Sequence, residues 1–189
     1  MNKRIYLLLT ICLICVSCKL FKRSDILQAE KSFIFPLDWI GHYEGELLIF
    51  NANNDTLNAK MELIIDYPNA EGYYPWTLIY NDEDIRSYGL EAVNPEIGHY
   101  RIDEYNSIIL DAYYKAGHFI SRFAVLNSDL VIDYSLIDEG MEVRFYITGA
   151  QEVRKTGGEK IGGEDVPEVS SYSVLAFQKA ILKKKEKQN

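Results

Sequence analysis

Leu130-Val131-Ile132-Asp133-Tyr134-Ser135-Leu136 places Leu130, Ile132, Tyr134 and Leu136 on one side of the chain and Val131, Asp133 and Ser135 on the other. A period of two is the signature of a β-strand, because successive side chains point to opposite faces. Phe119, Ser121, Phe123 and Val125 repeat the pattern against Ile120, Arg122 and Ala124. Working outward, β-rich runs cover residues 39–50, 57–67, 73–80, 85–93, 98–103, 108–114, 118–126, 130–137, 141–149 and 172–182. Turn-forming residues divide them: Asn51-Ala52-Asn53-Asn54-Asp55, Pro68-Asn69, Asn81-Asp82-Glu83-Asp84, Asn94-Pro95 and Glu104-Tyr105-Asn106. No helical period of useful length interrupts this series.

Short strands joined by short turns predict an all-β, antiparallel up-and-down barrel of about 8–10 strands. Closing the sheet removes the exposed edges that would otherwise pair with other chains. A short helix is expected before it, around residues 24–31, with Ser24 as its cap and Asp25 in its first turn. Residues 150–171 contain Gly157-Gly158-Glu159-Lys160-Ile161-Gly162-Gly163-Glu164-Asp165. No Gly-Lys-Ser/Thr follows and the carboxylates would repel phosphate, so a phosphate cradle is disfavoured. The stretch reads as a mobile loop that could cover one barrel mouth.

At the N-terminus, Lys3-Arg4 precede an apolar stretch over residues 5–16 that ends in Cys15-Val16-Ser17-Cys18. About 20 residues are needed to span a bilayer, so this stretch suits a signal-peptide core instead. The layout resembles the lipobox of bacterial lipoproteins, where cleavage before the cysteine exposes it for lipidation. That resemblance implies a signal peptide over 1–17, a lipid on Cys18, a tether and short helix over 18–37, a barrel over 38–182 and a basic tail over 183–189. It also implies a membrane partner reached through the lipid, in the cell envelope, at the outer membrane facing the periplasm.

All three cysteines lie at or before the expected cut, so neither disulfides nor thiol chemistry would remain. Lys3 and Arg4 would leave with the leader, giving 18 basic against 28 acidic residues and a net charge of −10. Such a chain gains little from phosphate counterion release, so nucleic acid is not an expected partner. The tail Lys183-Lys184-Lys185-Glu186-Lys187 departs from this balance and reads as solvated. Acidic turns throughout, and a lipid that would be superfluous, argue against a membrane-spanning barrel.

Trp39-x-Gly41-x-Tyr43-x-Gly45, on the first strand after a helical lead-in, resembles the opening of calycin-type barrels, the group of lipocalins and fatty-acid-binding proteins. Trp76 to Arg86-Ser87-Tyr88, Asp103-Glu104-Tyr105-Asn106 and Phe119-Ile120-Ser121-Arg122-Phe123 extend a similarity to uncharacterised lipocalin-like lipoproteins of Bacteroidota over about residues 39–182. The resemblance implies a barrel pocket holding a small, partly apolar ligand. The 14 Tyr, 8 Phe and 2 Trp supply amphipathic walls for it. Trp39, Tyr43, Trp76, Arg86, Tyr88, Tyr100, Arg122 and Tyr134 are the expected ligand-binding residues. Arg86 and Arg122, if inward, could clamp a carboxylate or phosphate head. The alternative for those arginines is pairing with acidic neighbours or facing solvent.

His42, His99 and His118 are too scattered for a metal site, and no cofactor is expected. Asp103 and Glu104 are adjacent, and neighbours on a strand face opposite sides, so they do not form an acid–base pair. No Gly-x-Ser-x-Gly elbow is present. Catalysis finds little support. The rival expectation is a non-catalytic interaction or assembly lipoprotein with a filled barrel and an envelope protein as partner.

Overall fold

The structure, a computed structural model, describes residues 34–186. The leader, Cys18, the tether up to residue 33 and the helix expected around residues 24–31 lie outside them. Within the described residues the helical content is two 3-10 turns, Leu37–Trp39 and Pro95–Ile97.

The strands are β1 (Gly41–Asn51), β2 (Thr56–Ile65), β3 (Tyr74–Tyr80), β4 (Asp84–Asn94), β5 (His99–Asp103), β6 (Ile109–Lys115), β7 (His118–Val125), β8 (Ser128–Ile137), β9 (Gly140–Thr156), β10 (Lys160–Ile161), β11 (Glu164–Asp165) and β12 (Val169–Lys184). Ten of them close in the order β1-β12-β9-β8-β7-β6-β5-β4-β3-β2. Each pairs antiparallel with its neighbours, and β1 seals against β12 from Tyr43↔Lys184 to Asn51↔Ala176. This is an all-β up-and-down barrel, compatible with a calycin-like fold. All its strands, and the segment that plugs it, lie between Phe35 and Lys184, within one compact unit.

The register keeps one face inside around the whole circumference. Leu47 meets Ala59 and Ala180; Phe119 meets Tyr134; Tyr134 meets Val143; Ile132 meets Phe145. All of these face inward. A slip of one residue in any strand would turn its apolar set to water, so the alternation fixes the register. Gly45 has no side chain for a reason of space: a Cβ there would lie 2.3 Å from the Ile181 carbonyl oxygen on β12.

Residues 150–171 are not the loop expected from sequence. β9 and β12 continue past the barrel as a two-stranded arm, paired from Glu152↔Tyr172 to Thr156↔Val169. Gly157 and Gly158 turn the chain at φ 80° and 78°, and β10 pairs with β11 across Gly162-Gly163. That Gly-Gly connection suits a tight hairpin because both residues take positive φ. Register shifts between Ser171 and Ala176 mark where the arm leaves the barrel, as bulges do where a strand bends.

Candidate functional site

The two ends of the barrel are built differently. At one end Phe35–Ile40 crosses the opening. Trp39 donates its backbone N–H to the Pro36 carbonyl (2.9 Å), and the Tyr43 hydroxyl donates to the Trp39 carbonyl (2.8 Å). Phe35 touches four rings: it stacks on Tyr114 and Phe119 (4.8 and 4.7 Å) and meets Trp39 and Tyr100 edge-on (4.9 and 4.8 Å). The Tyr100 hydroxyl donates to the Phe35 carbonyl (3.3 Å). Lys184 Nζ donates to the Ile40 carbonyl (2.8 Å) and stands over the Tyr43 ring. Trp39, Tyr43, Leu63, Met141 and Leu182 have no exposed surface here. Burial pushes the Tyr43 phenol up to about 12, so it stays protonated and keeps donating.

The other end is open onto a cavity of about 820 Å³. Its inner part is lined by Trp76, Phe119 and Tyr134, whose rings lie 5.2 to 6.3 Å apart. Leu110, Ile132 and Phe145 form part of the wall. Phe119 therefore links the plug to the cavity: Phe35 packs on it from one end and Trp76 from the other.

The polar groups collect toward the mouth. Tyr80, Asp84, Arg86, Tyr88 and Glu104 line it. The β3–β4 hairpin brings the first four together, since Tyr80 pairs with Asp84, Leu78 with Arg86 and Trp76 with Tyr88. Arg86 is held by its neighbours in the hairpin. Its Nε and Nη2 donate to Asp84 (2.6 to 3.2 Å), and its guanidinium lies 5.0 Å from the Tyr80 ring centre. That contact lowers the Asp84 carboxyl below its ordinary value. Burial pushes the Tyr80 phenol up to about 12 and raises Tyr88, with the Glu104 charge adding to the latter. Tyr134 is raised well above the ordinary phenol range, again by burial. All three phenols remain neutral donors at physiological pH.

Of the eight expected ligand-binding residues, the fold brings Trp76, Arg86, Tyr88 and Tyr134 together around the cavity. Trp39, Tyr43 and Tyr100 sit in the plug at the far end. Arg122 lies on the outer wall, its side chain 74% exposed and 3.9 Å from Asp129. It follows Ser121 and precedes Phe123, both of which line the cavity, so alternation turns it outward. Sequence reading missed Tyr80, Asp84 and Glu104. Tyr80 shares a face with Trp76 by simple alternation, and that signal was present. Asp84 and Glu104 stand at turns, where no period predicts a facing.

The outer wall is charged. Glu62 is almost wholly buried among Lys60 (2.9 Å), His42 (2.5 Å) and Lys185 (3.6 Å). Lys60, then His42 and Lys185, hold its carboxyl down at about 2 against the opposing effect of burial. A second set links His118, Asp133, Arg144, Glu142 and Lys179. His99 pairs with Asp111 (2.6 Å). All three histidines are thus on the wall, each with one carboxylate. Among the described residues, no group of three or more His, Cys, Asp or Glu is placed to hold a metal ion.

The molecule is a barrel sealed at one end with a cavity opening at the other. No protein-family model matches the chain, and no curated protein matches it.

Proposed function

We propose that this protein is a lipid-anchored envelope protein that holds a small apolar or amphipathic ligand in a calycin-like barrel. The observation that carries the reading is the one-ended cavity. Its volume of about 820 Å³ lies in the range of small-molecule sites, roughly 300–1,000 Å³, and its walls are apolar with a few convergent polar groups. The plug gives that cavity a floor, so a ligand would be buried on all sides but one. The lipobox resemblance at Cys18 supports the anchor. The ion-paired outer wall supports a barrel standing in water, since Glu62 and Glu142 would be costly on a lipid-facing surface.

The test uses residues 19–189, which contain every described strand and the plug. Native and denaturing mass spectra of this protein, purified without detergent, are expected to differ by a small molecule of a few hundred daltons. A spectrum of bare protein, unmoved by added long-chain amphiphiles, would overturn the reading. Mass spectrometry of the full chain recovered from membranes is expected to show a diacyl or triacyl mass on Cys18, and an unmodified Cys18 would remove the anchor.

The arm favours a second reading, a non-catalytic interaction or assembly role. Val153, Val169 and Tyr172 are exposed on it, beyond the barrel. Cutting residues 150–171 back to a tight turn separates the two readings: ligand retention should survive, and loss of the ligand with the arm would tie the arm to the cavity.

A further inference from the structure

We infer that the cavity selects its ligand by head-group charge, accepting an aliphatic amine with its ammonium at Glu104 and refusing the carboxylate of the same chain. The inference rests on the ligand-binding reading above and deepens it. Three charged residues line the cavity: Asp84, Arg86 and Glu104. Arg86 is the one cation among them, and Asp84 holds it through both carboxylate oxygens while Tyr80 covers its face. An incoming carboxylate could reach only the remaining Nη1 side of the guanidinium, against the repulsion of the Asp84 carboxylate already bound to it. Glu104 has no such partner. It accepts from the uncharged Asn106 Nδ2 (3.2 Å), and among the described residues no cation lies within ion-pair distance of it. The lining therefore carries a net charge of −1, with one carboxylate uncompensated. The protein as a whole carries −8, which adds to the bias.

The surrounding groups suit the same choice. Tyr80 and Tyr88 are neutral at the rim, so neither adds a charge that would offset Glu104, and the Tyr88 ring is of the kind that attracts cations. Below them the lining is formed by Trp76, Phe119 and Tyr134, which suit an apolar chain. Apolar burial would supply most of the affinity, and the rim would decide which head is admitted.

Decylamine, decanol and decanoate share one chain and differ in head charge. Each is titrated against residues 19–189 carrying an uncharged naphthyl fluorophore in the cavity, at low ionic strength. The expected order is amine, then alcohol, then carboxylate, with about tenfold between the two ends, the size of two exposed charge contacts. Glu104→Gln should bring the amine to the level of the alcohol. Asp84→Asn should free Arg86 and raise decanoate severalfold. Both positions are at the rim, and thermal melts of the two variants are to match wild type before their binding is compared. Equal displacement by all three, or strongest displacement by decanoate, would overturn the charge inference and leave the cavity reading standing. Displacement by none, with no fluorophore bound, would overturn both.

Discussion

The same ten strands make a solid at one end of this barrel and a vessel at the other. Both ends alternate in the same way and both are rich in aromatic residues. At the plugged end Phe35 has four ring neighbours at 4.7 to 4.9 Å, and the tyrosines there bond backbone carbonyls. At the mouth Tyr80 faces Arg86, and Tyr88 stands among charges. The difference lies in what crosses the opening, because Phe35–Ile40 covers one end and the other is left to solvent. An aromatic strand face can be core or cavity wall, and a segment outside the strands decides which.

Breaking the plugged end should have the largest effect. Trp39→Ala removes a fully buried indole and is expected to cost about 3–5 kcal/mol in guanidinium unfolding. A loss below about 1 kcal/mol would mean that the plug adds no stability and the contrast between the ends is false. At the mouth, filling space should do the opposite. Leu110→Trp, on the cavity wall, is expected to abolish retention of any ligand while shifting stability by about 1 kcal/mol or less.

Acid should then distinguish the wall from the rim. The Glu62 carboxyl lies at about 2 in the folded barrel and near 4.5 in its ordinary state. The stability it contributes is therefore full above pH 4.5 and lost as pH falls through 2. Melting temperatures of wild type and Glu62→Gln should converge between those values. Asp84→Asn, at the exposed rim, should leave the acid profile close to that of wild type. Parallel profiles for wild type and Glu62→Gln would break this account. Smallest of all, Arg122→Ala should change stability by no more than about 0.5 kcal/mol and leave ligand retention untouched. A loss of binding there would place a ligand contact outside the cavity.

The barrel was legible because most strands bury one face and expose the other. Leu130, Ile132 and Tyr134 were grouped on one face by sequence, and that face is inside. Which face pointed inward could not be read from alternation, and so Arg122 was grouped with Arg86. The arm was missed for a related reason. Its residues are exposed on both sides, so Glu152-Val153-Arg154-Lys155 shows no apolar period. The Gly162-Gly163 pair was the local sign of a hairpin there. Trp39, Tyr43 and Tyr100 were expected to bind ligand, and the fold places them in the plug instead, because their chemistry fits a plug as well as a pocket. Only the path of Phe35 across the end separates the two.

The chain enters the barrel at Gly41 and leaves it at Lys184, and these positions flank the same opening, the plugged one. The turns around Asn81, Tyr105 and Leu126, and the arm, rise at the opposite pole. The first and last strands of the barrel thus begin and end at its sealed base, and its mouth faces away from both, as the lip of a cup faces away from its foot.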